Sequence, residues 1–104
     1  MPFVKVADLS EIPPGRGKMV VGPFDKPMAL FNVDGQVYAI NHVCPHRGGP
    51  LAEGRLMGTV VACPWHGWTF DVRTGQPDHP GGHSVTAYEV KIEGNSIYVG
   101  WLKK

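Results

Sequence analysis

The sequence predicts an all-β domain: a small antiparallel sandwich or barrel with a loop-rich segment inserted into it. Three observations carry this. Apolar residues recur in short alternating runs, Asp-Gly and Gly-Asn pairs fall between such runs, and no segment sustains a helical period with caps at its ends. The 14 glycines and 10 prolines, beside 42% hydrophobic residues and no repeat period, fit many tight turns rather than disorder.

Phe3-Val4-Lys5-Val6-Ala7 alternates and reads as an edge strand. Residues 8–12 have room for one short turn before Pro13-Pro14-Gly15 stops any regular structure. Lys18–Val21 is a second strand, ended by Gly22-Pro23. Met28–Val33 and Gln36–Ile40 flank Asp34-Gly35, the strongest hairpin signal in the chain. Thr59–Ala62 is β-branched, and Trp68–Val72 leads to a turn at Thr74-Gly75. Residues 84–93 alternate in part, through Val85, Ala87, Val90 and Ile92, and Gly94-Asn95 turns them into a last strand over 96–101. The segment from about 42 to 83 differs from its surroundings. It is rich in loops and carries both cysteines and all five histidines, so it is expected to be a site-holding subdomain within a single domain over 1–104.

Charge and composition exclude several classes. A net charge of +1 with scattered charges gives no basic stripe for nucleic acid and no patch for an anionic membrane. No run approaches 18 apolar residues, and the first residues do not form a signal peptide, so a soluble cytoplasmic protein is expected. Two cysteines do not make a disulfide scaffold.

The chemistry is concentrated in Cys44-Pro45-His46 and Cys63-Pro64-Trp65-His66, two clusters separated by sixteen residues. Thiolate and imidazole together suit zinc or iron–sulfur chemistry rather than magnesium or calcium. A closed tetrahedral zinc site could use Cys44, His46, Cys63 and His66 together. The single residue between Cys44 and His46 is short for two ligands of one ion, and a dinuclear cluster removes that difficulty because neighbours in a loop then serve different metals. A zinc-stabilised binding module stays open at this level, as does a Cys44–Cys63 disulfide, which a cytosolic setting disfavours.

Cys44-Pro45-His46-Arg47-Gly48-Gly49-Pro50-Leu51 and Cys63-Pro64-Trp65-His66-Gly67-Trp68-Thr69-Phe70-Asp71 resemble the two ligand boxes of Rieske [2Fe–2S] proteins. The spacing between the boxes matches as well. Over nearly its whole length the chain is similar to the stand-alone Rieske-type ferredoxins that serve bacterial aromatic-ring dioxygenases. The resemblance implies a small Rieske-type antiparallel β sandwich or barrel and one [2Fe–2S] cluster. It places Cys44 and Cys63 on one iron, with His46 and His66 on the other. It further implies a one-electron carrier, not itself an enzyme, that transiently meets a flavin-dependent ferredoxin reductase and a terminal oxygenase; since such a carrier needs a free cluster tip, a monomer is expected. A fixed small subunit of a nitrite reductase or another oxidoreductase complex is the alternative.

Departures from the respiratory branch of this family bear on the redox potential. That branch has an extra, disulfide-forming cysteine in each box, where this chain has Gly49 and Trp65. Its serine and tyrosine hydroxyls bond the cluster sulfurs, whereas Trp68 and Phe70 stand in those places here. Fewer hydrogen bonds to sulfur imply a potential in the lower part of the Rieske range, at about −150 mV. Ring nitrogens of His46 and His66 left free of metal imply a midpoint that falls at alkaline pH. Gly48, Gly49 and Gly67 let backbone approach the site closely. Asp78, His79 and His83 have the composition of a mononuclear iron triad, but Pro80-Gly81-Gly82 disfavours a helix presenting both histidines, and exposed loop residues are expected. His42 is expected to act as a hydrogen-bonding or surface residue. Trp65 is expected near the surface; Trp101 is expected to pack on the β framework.

Overall fold

The computed structural model describes residues 3–22, 25–44, 48–65, 67–78 and 83–100. In chain order the strands are β1 (Val4–Asp8), β2 (Gly17–Val21), β3 (Pro27–Val33), β4 (Gln36–Asn41), β5 (Arg55–Met57), β6 (Val60–Ala62), β7 (Thr69–Asp71), β8 (Ala87–Tyr88), β9 (Val90–Glu93) and β10 (Ser96–Val99). The 3-10 turns Leu9–Glu11 and Leu51–Glu53 accompany them. The strands form three antiparallel sheets ordered β1-β10-β9, β2-β3-β4-β8 and β5-β6-β7. This is the all-β, antiparallel architecture that the alternating runs predict.

The middle sheet carries the fold. Met28 to Asn32 of β3 are all buried, so the strand is covered on both faces. Strand geometry sends successive side chains to opposite sides. Met28 and Leu30 therefore join Ala7, Val20, Ile97 and Val99 in a core shared with the first sheet. Ala29 and Phe31 join Leu51, Val61, Phe70 and Val72 in a second core beneath the third sheet. Strand β4 divides likewise, with Val37 and Ala39 in the first core and Ile40 in the second. The expected hairpin forms with Asn32 opposite Val37 and Val33 opposite Gln36. Asp34 and Gly35 have φ of 51° and 91°, the left-handed pair that a two-residue turn matching strand twist requires.

Two features depart from the sequence expectation. Residues 84–93 do not make one strand: β8 pairs with β4, and β9 pairs with β10 in another sheet. The change falls at Glu89, whose carbonyl accepts the Gly100 N–H at 2.9 Å. Strand β5, not anticipated, pairs with β6 from Arg55↔Ala62 to Met57↔Val60. Its three residues are too few to show a period. Trp101 lies outside the described residues.

Asn32 is the one polar residue buried among the described strands, and it is fully used. Its Nδ2 donates to the Ile12 carbonyl at 2.7 Å, and its Oδ1 accepts the Gly35 N–H at 2.8 Å. Its backbone meets Arg16 and Gly15, with the Gly15 N–H donating to its carbonyl at 2.8 Å. One side chain thus ties the 9–16 connection to the β3–β4 turn. Asn32→Ala leaves a buried carbonyl and an amide without partners and is expected to lower unfolding free energy by about 2–4 kcal/mol. Urea denaturation with an unchanged m-value checks this.

Candidate metal centre

Cys44 follows β4, and Cys63 follows β6. Each strand delivers its cysteine to the end of the second core, where both are buried (1% and 3% exposed) and neither is in a disulfide. The two loops beyond them close in the same way. The Cys44 N–H donates to the Gly49 carbonyl at 3.0 Å, and the Gly48 N–H donates to the Cys44 carbonyl at 2.8 Å. Nineteen residues later the pattern repeats: Cys63 N–H to the Trp68 carbonyl at 2.7 Å, Gly67 N–H to the Cys63 carbonyl at 3.1 Å. Gly48 and Gly67 hold the same place in each loop with φ of 75° and 72°, a region L-residues rarely adopt. The glycine four residues after each cysteine was the signal of this repeated frame.

Cys44 acts on Cys63 to raise its pKa, which places the two sulfurs near one another. Burial is the main cause raising the Cys63 pKa; the Trp65 backbone N–H, bonded to the same sulfur, acts in the opposite direction. Gly49 is buried and passes close to this sulfur. A β-carbon at position 49 would lie 2.6 Å from Cys63 Sγ. Neighbouring soft donors, dry and free of a disulfide, with an amide aimed at sulfur, are a donor set suited to a thiolate-bound iron centre. Among the described residues no three of His, Cys, Asp and Glu converge. His46 and His66, the other two expected ligands, lie outside them, as do Pro45 and Arg47.

Around the thiols, Trp68 is partly buried against the second core and Phe70 is fully buried in it. Trp65 is 50% exposed and Val43 42% exposed, which leaves an apolar surface beside the two loops. His42 takes the hydrogen-bonding role expected of it. Its Nδ1 accepts the Ala52 N–H at 3.2 Å, and its carbonyl accepts the Leu51 N–H at 2.9 Å, fixing the 3-10 turn under the first loop. Burial lowers its pKa, with Glu53 pulling the other way, so the neutral ring that can accept this bond is favoured. Asp78 and His83 are exposed, and His79 lies outside the described residues. Among the described residues no helix is long and apolar enough to cross a membrane.

Two matching cysteine loops at one end of a core in a three-sheet β domain are the arrangement an iron–sulfur class of protein needs. The Rieske [2Fe-2S] domain family matches residues 2–89, and the chain belongs to that family. It is 37% identical over 105 residues to the biphenyl dioxygenase ferredoxin subunit of Pseudomonas sp. (strain KKS102), covering 99% of this chain and 95% of that one. It is 44% identical over 71 residues to apoptosis-inducing factor 3 of Homo sapiens, but spans only 12% of that protein's length. Among solved structures, the complex of reduced oxygenase and oxidized ferredoxin in carbazole 1,9a-dioxygenase contains a chain 35% identical, with a TM-score of 0.88 over 98% of this chain and 95% of that one. A protein described as an NADH-dependent nitrite reductase small subunit from Mycobacterium tuberculosis is 25% identical, with a TM-score of 0.87 over 99% and 97%. The cofactor of this chain is one Rieske-type [2Fe–2S] cluster.

The glycines separate two kinds of constraint. Among the described residues nothing lies within 4 Å of a β-carbon placed on Gly67, so Gly67→Ala meets backbone strain there and is expected to cost about 1–2 kcal/mol. Gly67→Asn should cost less, because asparagine tolerates this conformation. Gly49→Ala displaces the Cys63 sulfur itself and should lower the iron content per chain. Thermal denaturation and iron analysis of the three purified variants test the distinction.

Proposed function

We propose that this chain is a one-electron carrier that takes an electron from a flavin-dependent ferredoxin reductase and passes it to a terminal oxygenase, transforming no substrate itself. The observation that carries the reading is the pair of buried thiols of Cys44 and Cys63 held in matching loops. In this reading Cys44 and Cys63 bind one iron, His46 and His66 bind the other, and 42–83 is the cluster-binding subdomain of one domain over 1–104. The cluster, when bound, supplies reversible one-electron chemistry.

The protein's own residues do the rest. The loop hydrogen bonds and the left-handed Gly48 and Gly67 fix the cysteines before an electron arrives, so little structure has to move on transfer. The half-exposed Trp65 and exposed Val43 give a transient partner an apolar surface beside the site. A carrier must release one partner before meeting the next, which favours a monomer with this end free, working in the cytoplasm. The ferredoxin reading is preferred to the fixed nitrite reductase subunit because the ferredoxin components are more alike in sequence over nearly the full chain.

Purified protein should be brown, contain iron and acid-labile sulfide, and give the EPR signal of a mixed Cys/His cluster on reduction. Cys44→Ser, Cys63→Ser, His46→Ala and His66→Ala should each lose that signal and fail to relay electrons from a ferredoxin reductase. Zinc without sulfide in the wild-type protein would overturn the reading. A carrier purifies alone, whereas a fixed subunit co-purifies with its complex.

The redox midpoint should lie low in the Rieske range, at about −150 mV, and fall at alkaline pH. Phe70, buried beside the thiols, offers no hydroxyl to sulfur. Phe70→Tyr is expected to raise the midpoint by about 20–60 mV, the equivalent of one added hydrogen bond for one electron. EPR-monitored titration of both proteins measures it, and an unchanged midpoint would show that position 70 does not reach the cluster sulfurs.

A further inference from the structure

The two cysteine loops are each closed by their own backbone, and no backbone hydrogen bond between described residues joins 44–49 to 63–68. They meet through a side chain set on a glycine. A β-carbon at Gly49 would lie 3.2 Å from Trp65 Cγ and 3.3 Å from Trp65 Cβ, besides 2.6 Å from Cys63 Sγ. The first loop therefore passes, without a side chain of its own, against both the sulfur and the root of the indole. The amide of the same tryptophan is bonded to that sulfur. Trp65 keeps half its surface in water while Cys63, two residues before it, is 3% exposed.

We propose that Trp65 is a positioning residue: packed on Gly49, its indole braces the two cysteine loops against each other and keeps water from the Cys63 sulfur. The inference rests on Cys63 being a cluster ligand. Glycine at 49 is the seat, since any side chain there would occupy the space of the indole and the thiol. Removing the ring takes away the Gly49–Trp65 contact between the described parts of the loops and lets solvent reach the sulfur. Looser loops release metal faster. Water donating hydrogen bonds to the sulfur favours the reduced, more negative site and raises its midpoint.

The experiment compares holoprotein of the wild type with Trp65→Ala, Trp65→Val, Trp65→Phe and Met19→Ala. Met19, 47% exposed on β2, controls for loss of an exposed apolar side chain away from the loops. Iron release to 2,2′-bipyridine is followed by visible absorbance, and the midpoint by EPR-monitored titration. Trp65→Ala should release iron about fivefold faster, the scale of one lost aromatic contact, and show a higher midpoint. Trp65→Phe should stay near the wild type in both, and Met19→Ala should change neither. If Trp65→Ala does not accumulate as holoprotein, Trp65→Val, which keeps the β-carbon against Gly49 and removes the ring, must show the same two changes. Wild-type release and midpoint in Trp65→Ala, or equal damage in Trp65→Phe, overturns the inference. A wild type lacking iron and sulfide overturns the cluster reading as well, so the two failures are told apart.

Discussion

Everything at the metal centre depends on β3 being buried on both faces. A strand covered on one side only would support a simple sandwich with a solvated back. Here Met28 and Leu30 hold the first sheet, while Ala29 and Phe31 hold the third, so one seven-residue strand couples the framework to the site. Phe31 shares its core with Cys44, Cys63 and Phe70. The sulfurs are thus part of the hydrophobic interior, and the loops that carry them are attached to the best-packed element of the chain. Gly17 helps the attachment: a β-carbon there would meet the Phe31 ring at 2.7 Å and the Ala52 carbonyl at 2.8 Å, so glycine lets the 51–53 turn lie close against the middle sheet.

The loops solve a second problem with very little sequence. A site that accepts and returns an electron must keep its geometry in both states, yet it has to sit near the surface, where loops are ordinarily mobile. The repeated closure, one bond into the cysteine carbonyl and one out of the cysteine amide, satisfies the backbone at each cysteine internally. Left-handed glycines permit the tight return. His42 then props the first loop from beneath through the 3-10 turn, using a ring nitrogen that must stay unprotonated to accept.

Much of this was legible in the sequence, and the parts that were not have physical reasons. The Asp34-Gly35 hairpin announces itself because only a few residue pairs tolerate two left-handed positions in succession. The Cys/His boxes are legible because ligand chemistry is restrictive. The sheet change at Glu89 was written as a slip of phase: Val85 and Ala87 fall on odd positions, whereas Val90 and Ile92 fall on even ones. Read as one imperfect strand, the slip looks like noise; in the fold, Val85 and Ala87 pack in the second core, while Tyr88 and Val90 pack in the first. Strand β5 carries no comparable signal, since three residues become a strand only by pairing with β6. The bonds of Asn32 and the contact of Gly49 with Trp65 are tertiary facts. Residue spacing encodes neither, although a polar residue in the middle of an apolar run was a reason to look for buried partners.

Two opposing effects act on the electron this site would hold. Hydrogen bonds to sulfur stabilise the added negative charge, and the Trp65 amide supplies one. Each is worth about 1 kcal/mol, or about 40 mV for one electron. Burial acts the other way. Cys44 and Cys63 lie among Leu51, Val61 and Phe70, none of which can solvate charge. Withdrawing a charge from water into such surroundings costs several kcal/mol, of which a single amide hydrogen bond recovers only part. The proposed low potential rests on that balance, and on position 70, where an aromatic ring fills the space and contributes no hydroxyl. In that proposal the apolar packing that holds the loops also favours giving the electron up, so rigidity and driving force have one physical origin.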